Sequence, residues 1–292
     1  MVSISVIIAT LDRGEDLIML LDQLSEEKKM EVIVVDQTDI YADEHQQKLT
    51  GLFNNNPNFH YYKLELKNVS NARNFGVQKS SGNYLLFIDD DVTLPDDYIN
   101  KFANFAGENQ NMDAVAGMVL GLDLNINYSL SKEFYNKHYG RMFKPLNYGY
   151  KLTDSDLPSG NLLIKKTAFN SLNGYDTNLL RFEDSDFAMR FFKAGLKSCY
   201  EPDLYLIHKA TPTGSARKSI DLNKSDVYWE QCFYLILKNF GLYKGRGLLW
   251  YYLRRRVINR PTLTKPGQFA AAVSKVYNGY FAAKRKIKNN NS

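Results

Sequence analysis

The sequence predicts an α/β protein built on a mostly parallel sheet flanked by helices, with a helical region appended at the C-terminal end. Two patterns carry this prediction. Short apolar runs, typical of strands buried on both faces, alternate with helical patterns through about the first hundred residues. After residue 223 helical patterns dominate. A chain of 292 residues can bury one large core, or one domain with a smaller addition.

Strands and helices alternate from the first residues onward. Strands are predicted over 5–9, 31–35, 59–63 and 84–88, where β-branched, aromatic or leucine residues cluster. Helices are predicted over 14–27, 41–54, 70–80 and 95–107. Their boundary signals include Ser70 as an N-cap, Gly82 beyond a helix end and Pro95 at a helix start. Because alternating strands and helices favour a parallel sheet, the C-terminal ends of these strands should meet at one edge.

The second half of the domain is less regular in pattern. Residues 117–156 are rich in Tyr, Asn and Lys and are predicted to form a long insertion of the kind that acts as a lid or binding loop. A strand follows within 157–164. A helix then begins near residue 187 and ends at Gly195, and closing strands are predicted over 196–201 and 204–207.

Three consecutive carboxylates end the fourth predicted strand. Asp89, Asp90 and Asp91 follow an apolar run at the sheet edge where open α/β proteins bind their ligands. Adjacent carboxylates repel one another, and a divalent cation with a preference for oxygen ligands relieves this repulsion. The triplet therefore indicates a site for Mn²⁺ or Mg²⁺. A solvated acidic turn is the alternative interpretation of the triplet alone.

Further polar residues lie at element ends that the predicted sheet would bring together. Asp36 ends the second strand, and Arg73 lies in the first turn of a helix, where backbone N–H groups favour an anion or a nucleobase edge. A capped surface helix is the simpler interpretation of Arg73. His208 ends the last predicted strand; a lone histidine is more often structural, but its position at a strand end favours a ligand role.

Four acidic residues between 176 and 186 surround the start of another predicted helix. Acidic side chains complement a helix dipole, which would explain them without any function. The functional interpretation makes one of them a general base, which a carboxylate can be if it stays ionised within reach of the proton it removes.

The C-terminal region differs sharply in charge from the rest of the chain. From residue 217 onward it carries sixteen Lys and Arg against three Asp and Glu, a net +13, which leaves −8 on the first 216 residues of a chain whose total is +5. Basic residues beside Trp, Tyr and Leu indicate helices that lie on an anionic membrane surface. Nucleic-acid binding and simple packing on the domain are the alternatives; we expect no nucleic acid to bind.

Cysteine usage and the N-terminal sequence indicate the compartment. The two cysteines form neither a disulfide framework nor a zinc motif, and the N-terminus is predicted to be a strand, not a signal peptide. No apolar run is long enough to span a bilayer. We therefore expect a cytoplasmic protein, peripheral on the cytoplasmic face of the membrane.

Taken together, the motifs resemble those of the family 2 glycosyltransferases, nucleotide-sugar enzymes with the GT-A fold and its Rossmann-like nucleotide-binding half. The similarity runs from residue 5 to about residue 217, and we expect the domain to cover 1–217 and the basic helical region 218–292. The matching pieces occur in the family's order; they are SVIIAT with Arg13, VVD at 34–36, NARNFG at 71–76, FIDDD at 87–91, Gly160-Asn161 and FEDSD at 182–186 with Arg190 and Gly195.

The resemblance implies a role for each matched position. Thr10, Arg13, Asp36, Arg73 and Asp89 would hold the nucleotide, with Asp36 and Arg73 at or near the base and Asp89 toward the ribose. Asp91 and His208 would hold the metal, and Asp90 would be dispensable. Asp184 would be the catalytic base, with Glu183 beside it on the acceptor side. Gly160 and Asn161 would lie near the donor or acceptor sugar.

The implied reaction is a single displacement with inversion, in which Asp184 takes a proton from an acceptor hydroxyl. The donor is expected to be a UDP-sugar, as for most of the family, and the acceptor a polysaccharide or a lipid-linked glycan. Two rival functions remain. A sugar nucleotidyltransferase would need a Gly-rich, Arg-containing loop after the first strand, which residues 10–14 do not provide. A non-catalytic carbohydrate-binding or scaffold protein would not need the acidic residues and His208 together.

Overall fold

A computed structural model describes residues 2–27, 30–124, 152–153, 157–210, 226–258 and 260–290. Most of the predicted insertion and the Gly- and Ser-containing residues 211–217 lie outside these ranges. The strands are β1 Ile4–Thr10, β2 Met30–Asp36, β3 Phe59–Lys63, β4 Tyr84–Ile88, β5 Val92–Thr93, β6 Ala114–Leu120, β7 Leu152–Thr153, β8 Asn161–Lys165 and β9 Ser198–His208. The helices of the domain are α1 Gly14–Ser25, α2 Asp43–Asn55, α3 Val69–Lys79, α4 Tyr98–Glu108, α5 Lys166–Ser171 and α6 Glu183–Lys193.

One mixed sheet organises the domain. Its strand order is β3-β2-β1-β4-β8-β6-β9-β5, with β7 paired to β9. The first four strands of this order are parallel, and their C-terminal ends form one edge. Beyond β4 the sheet is mixed, because β8 runs antiparallel to both β4 and β6. The parallel half matches the predicted alternation of strands and helices.

Side chains of alternating direction give the sheet two buried faces. On β1, Val6 and Ile8 point into a core that includes residues of α1, α2 and α4. Ile7 points into the opposite core, which includes residues of α3, α5 and α6. Strands buried on both faces are almost continuously apolar, which is why their sequences show no polar alternation.

The structure differs from the predicted elements at several places. Strand β6 occupies 114–120, most of which the sequence assigned to the irregular insertion, and helix α5 was not predicted. The two predicted closing strands form the single strand β9, whose register against β6 shifts between Gly117 and Val119. Helix α3 begins earlier than predicted, because Asn68 is the N-cap and its side chain accepts a hydrogen bond from the Asn71 N–H. Helix α4, in contrast, begins later than predicted, at Tyr98 and not at Pro95.

The C-terminal region consists of helices, as predicted: α7 Asp226–Asn239, α8 Gly241–Lys244, α9 Arg246–Arg256, α10 Arg260–Leu263 and α11 Pro266–Asn290. Helices α7 and α11 pack closely, and a Cβ at Gly279 would lie 2.4 Å from the Cβ of Trp229. The C-terminal helices share a hydrophobic core, which also includes Leu179 and Met189 of the domain. Among the described residues, no helix is both long enough and apolar enough to cross a membrane.

Candidate functional site

The acidic triplet lies where β4 leaves the sheet, and the short strand β5 directly follows it. Val92 of β5 pairs with His208 of β9, and the Lys209 N–H donates to the backbone oxygen of Asp91. This pairing places His208 Nε2 3.2 Å from Asp91 Oδ1 and 3.9 Å from Asp89 Oδ2. One ligand atom from each of the three residues lies within 4.8 Å of the others. The hydrogen bond to Asp91 raises the pKa of His208.

The middle carboxylate, Asp90, is buried beside the first loop of the domain. It accepts hydrogen bonds from Thr10 Oγ1 at 2.7 Å and from Arg13 Nη1 at 2.6 Å. The same Arg13 nitrogen lies 2.9 Å from Asp91 Oδ1. Burial raises the pKa of Asp90 to about 6, although Arg13 and Thr10 act to lower it. The expectation that Asp90 is dispensable conflicts with this geometry, because Asp90 joins the loop after β1 to the triplet.

Arg73 lies between the triplet and the start of α6. Its Nη2 donates to Asp89 Oδ1 at 3.1 Å, and its Nη1 lies 3.7 Å from Glu183 Oε1. The guanidinium is buried and stacks 5.7 Å from the centre of the Tyr175 ring. Its Nη1 has no hydrogen-bond partner among the described residues. Arg73 therefore lies between Asp89 at the end of β4 and Glu183 at the start of α6 and contacts both.

Asp36 forms a separate polar group at the end of β2. Its carboxylate is fully buried and accepts from the Thr38 N–H at 2.7 Å and from the Tyr61 hydroxyl at 2.6 Å, with Lys63 Nζ 3.6 Å away. Burial and the Asp36 charge raise the pKa of Tyr41, whose hydroxyl also neighbours Thr10. Sequence reasoning missed the two tyrosines, since nothing in their local pattern distinguishes them from ordinary apolar positions.

Gly160 and Asn161 occupy different environments. A Cβ at Gly160 would lie 2.8 Å from Asp89 Oδ2, so glycine allows the Asp89 carboxylate to approach the backbone. The Asn161 side chain is fully buried; it accepts from the Tyr98 hydroxyl and donates to the backbone oxygens of Met118 and Leu204. This geometry favours a structural role for Asn161, which ties β8 to β6 and β9, over contact with a sugar.

The structure separates the four acidic residues between 176 and 186. Asp176 accepts from Lys238 and Tyr234 of α7. Asp186 accepts from Arg190 on its own helix and from Lys238. These two acids are engaged by structural partners, which leaves Glu183 and Asp184 as the pair near Arg73.

Glu183 and Asp184 open helix α6 directly after a residue with an uncommon backbone conformation. Phe182 has φ 70° and ψ 15°, in the left-handed region that a bulky residue rarely adopts. Asp184 lies close enough to Tyr175 that its charge, together with burial, raises the pKa of the Tyr175 hydroxyl. Asp184 Oδ1 is buried and accepts no hydrogen bond from the described residues. An unpartnered carboxylate oxygen two residues after a strained backbone position suits a group that acts on a ligand.

The geometry thus brings most of the proposed residues into one connected group. Thr10 and Arg13 contact Asp90, His208 contacts Asp91, and Arg73 contacts both Asp89 and Glu183. Asp36 lies beside this group and connects to it through Tyr41 and Thr10. Beside Asp89, Asp91 and His208, whose atoms could hold a metal ion, the site thus has Asp184 with a buried oxygen that accepts no hydrogen bond from the described residues.

Comparison with known families identifies the family of the domain. The family model described as glycosyl transferase family 2 matches residues 5–172. The matched range contains the first loop, Asp36, Arg73, the triplet and Gly160. Glu183, Asp184 and His208 lie beyond it, and only their positions in the structure connect them to the matched part. No curated protein sequence matches the chain.

Solved structures of glycosyltransferases share the fold. Residues 1–349 of TarS from S. aureus align with a TM-score of 0.60 and 14% identity, over 99% of this chain and 92% of that one. The same TarS fragment in complex with UDP-GlcNAc aligns equally well, at 15% identity. A mannosyltransferase from Pyrobaculum calidifontis, in complex with GDP-Man and Mn²⁺, has a TM-score of 0.55 and 14% identity, over 99% of this chain and 79% of that one. The fold is therefore that of GT-A glycosyltransferases.

Proposed function

Because the chain belongs to glycosyl transferase family 2, we propose that it transfers a sugar from a nucleoside-diphosphate donor to an acceptor hydroxyl, with inversion at the anomeric carbon. The observation that carries this proposal is the bridge formed by Arg73, which contacts Asp89 on one side and Glu183 on the other. Through this bridge, Asp89, which is suited to the donor side, and Glu183, which is suited to the acceptor side, lie within one site.

The ligating atoms of Asp89, Asp91 and His208 fit a divalent cation. Two carboxylates suit Mg²⁺ or Mn²⁺, and the imidazole makes Mn²⁺ the better fit of the two. A bound cation would neutralise negative charge on the departing diphosphate without any proton transfer. Arg13, next to Asp91, would add positive charge on the same side of the site.

The nucleotide is assigned to the C-terminal edge of the parallel strands. Thr10, Arg13, Asp36, Arg73 and Asp89 are the proposed contacts, and Tyr41 and Tyr61 extend the group around Asp36. Asp36 is already hydrogen-bonded within the protein, and a carboxylate can accept further donors from a nucleobase. We propose a UDP-sugar as the donor. TarS was solved with UDP-GlcNAc, which supports this choice, whereas the mannosyltransferase was solved with GDP-Man.

Asp184 is the proposed base. Its open, buried Oδ1 can accept the proton of an acceptor hydroxyl as that hydroxyl attacks the anomeric carbon from the face opposite the diphosphate. Such a displacement inverts the anomeric configuration. Glu183, which is buried against Arg73, would hold the acceptor side of the site in place.

We further propose that the C-terminal helices hold the enzyme on an anionic membrane surface, from the cytoplasmic face, where a lipid-linked or polysaccharide acceptor would be available. Helix α11 exposes an apolar row at four-residue spacing: Phe269, Val273, Tyr277 and Phe281. Exposed basic residues follow in the last turns of the same helix; they are Lys284, Arg285 and Lys288. Apolar and basic side chains together on one helix suit interfacial binding.

A donor panel tests the proposed function. The purified protein is incubated with Mn²⁺ or Mg²⁺ and a broad set of nucleotide sugars, and release of the nucleoside diphosphate is measured. Metal-dependent release from one donor is the expected result, with inversion then read from the product by NMR. Donor binding without turnover would favour a scaffold protein. Pyrophosphate release from a nucleoside triphosphate and a sugar phosphate would favour a nucleotidyltransferase.

A further inference from the structure

We infer that helix α7 of the C-terminal region is part of the catalytic apparatus, because it holds the segment that presents Glu183 and Asp184. This inference rests on the proposed function of those two acids. The segment concerned, residues 175–182, joins the region after β8 to the start of α6 and contains no regular helix or strand. A segment without its own secondary structure takes its position from its neighbours.

The donor-side helix α3 holds one side of the 175–182 segment. Asn74 makes two hydrogen bonds to the backbone of Tyr175, accepting from its N–H at 2.9 Å and donating to its carbonyl at 2.8 Å. Asn68 donates to the Thr177 carbonyl at 2.8 Å. These contacts come from the helix that carries Arg73, so the segment is fixed relative to the proposed nucleotide site.

Helix α7 holds the other side of the same segment. Gln231 is fully buried; its Oε1 accepts from the Leu180 N–H at 2.8 Å, and its Nε2 donates to the Asn178 carbonyl at 3.4 Å. Leu179 packs in the core formed by the C-terminal helices. Partly buried backbone groups of the segment therefore depend on α7 for their hydrogen bonds, and losing such a partner is costly.

Lys238 of α7 contacts an acid on each side of Glu183 and Asp184. Its Nζ lies 2.7 Å from Asp176 Oδ2, before the segment turns, and 2.9 Å from Asp186, on the first turn of α6. Asn239 donates to Asp186 as well, at 2.8 Å. Glu183 and Asp184 lie between the two acids that Lys238 joins, so this lysine limits how far the catalytic pair can move.

The strained residue before the acidic pair is also packed by the C-terminal helices. The Phe182 ring lies 5.9 Å from the ring of Tyr228 on α7 and 5.5 Å from that of Tyr252 on α9. A left-handed Phe persists only where its surroundings favour that conformation. We assign Lys238 and Gln231 as positioning residues, which act through Glu183 and Asp184 and do not contact the substrate.

The test compares two lysines of equal exposure. The side chains of Lys238 and Lys286 are 27% and 28% exposed. Lys238, on α7, forms an ion pair with Asp176, and Lys286, on α11, forms one with Glu230 of α7. Lys286 pairs with Glu230 and so joins α11 to α7; its Nζ also lies 5.7 Å from the centre of the Tyr234 ring, so it reaches the 175–182 segment only through Tyr234, whereas Lys238 contacts Asp176 directly. The variants are Lys238→Met, Lys238→Arg as the conservative substitution, Lys286→Met as the control, and Gln231→Met as a second probe of the segment.

Lys238→Met should lower kcat for transfer by about ten- to a hundredfold, since small displacements of a catalytic group have effects of that size. The donor KM and the donor dissociation constant should stay within twofold of wild type, and Lys238→Arg should restore most of kcat. Lys286→Met should retain wild-type kcat. Equal kcat in Lys238→Met and Lys286→Met would overturn the inference.

Hydrogen exchange separates failure of this inference from failure of the proposed function. Amides of residues 176–184 should exchange at least tenfold faster in Lys238→Met and Gln231→Met than in wild type and Lys286→Met. This result does not depend on turnover. If wild type turns over no nucleotide sugar, the proposed function fails; if exchange in these residues is the same in all variants, the positioning role of α7 fails independently.

Discussion

Arg13 donates to Asp90 at 2.6 Å, and this contact fixes the loop after β1 against the acidic triplet. Both side chains are largely buried, and the same guanidinium nitrogen also lies 2.9 Å from Asp91. Asp90 therefore does not belong to the proposed metal ligands Asp89, Asp91 and His208 but supports them. Its carboxylate keeps Arg13 next to Asp91, where the positive charge offsets the repulsion among three adjacent acids.

Replacing Asp90 should destabilise the protein while leaving the ligating atoms of Asp89, Asp91 and His208 in place. Asp90→Ala removes the acceptor of both Thr10 and Arg13, and we expect a loss of about 2–4 kcal/mol in the free energy of unfolding. Chemical denaturation measures it. Asp96→Ala, an exposed acid in the loop between β5 and α4, is the control and should change stability by less than about 0.5 kcal/mol. Equal stability of the two variants would contradict the role given to Asp90.

Replacing Asp184 should remove transfer without removing donor binding. Asp184→Asn keeps the size of the side chain but cannot accept a proton, and we expect kcat to fall by about 10²- to 10⁴-fold. The donor dissociation constant, measured by calorimetry with Mn²⁺ present, should remain close to that of wild type. Asp203→Asn, an exposed acid on β9, serves as the control. Unchanged transfer in Asp184→Asn would assign the base to another residue.

Metal binding should depend on Asp91 and be detectable without a substrate. Mn²⁺ added to the chelator-treated protein should raise its Tm, and Asp91→Asn should abolish that shift because one of three ligating residues is lost. Removal of the metal should also abolish transfer, with recovery on adding Mn²⁺. In Asp96→Asn the Mn²⁺-dependent shift should persist. A full shift in Asp91→Asn would exclude this residue as a ligand.

The sequence was sufficient to predict the parallel half of the sheet and the position of the acidic triplet at its edge. Asp89 and Asp91 follow an apolar strand, and the alternation of elements implies which edge they occupy. His208 was predicted by the same reasoning at the end of β9. These inferences need only local pattern and the geometry of parallel strands.

Other features depend on contacts between distant residues that local pattern does not reveal. Strand β6 was missed because Gly117 interrupts its apolar run. The glycine is required there, since a Cβ would lie 1.9 Å from the Leu204 carbonyl oxygen of β9. The roles of Asp90 and Lys238 depend on partners 77 and 52–62 residues away. Helix and strand periodicities relate residues only a few positions apart, so they could not predict these contacts.

Membrane binding should require both the exposed apolar row of α11 and the basic residues in its last turns. Wild type should co-float with anionic vesicles of phosphatidylglycerol and phosphatidylcholine at low salt, and less at high salt because the basic residues are screened. Replacing Phe269, Tyr277 and Phe281 with Gln should reduce binding. Replacing Lys284, Arg285 and Lys288 with Gln should weaken it by about 1 kcal/mol for each basic residue.

Flotation has two controls. One uses neutral vesicles, and the other uses a variant that loses the same number of positive charges from the domain. Vesicles of phosphatidylcholine alone should bind little protein. Replacing Lys48, Lys101 and Lys197 with Gln removes three exposed charges from the domain and should leave flotation unchanged. Absence of wild-type flotation at low salt would count against the proposed membrane surface.

The ion pair between Lys238 and Asp176 should make part of the stability of the chain dependent on pH. Burial alone would raise the pKa of Asp176, but the hydrogen bonds from Lys238 and Asn178 outweigh it and lower the pKa below its ordinary 3.8. The folded state therefore holds the proton less tightly than the unfolded state does. The resulting stability is fully present above about pH 4 and is lost as the pH falls below 3.8 toward the folded pKa.

Asp176→Asn should accordingly be less stable than wild type by about 1–2 kcal/mol at pH 7, and the difference should shrink as the pH is lowered through this range. Urea denaturation between pH 7 and pH 3 measures it. In the Lys238→Met background the same substitution should have a smaller effect at pH 7, because the partner that lowers the Asp176 pKa is absent. A stability difference between wild type and Asp176→Asn that does not change with pH would mean that Asp176 contributes no charge-dependent stability.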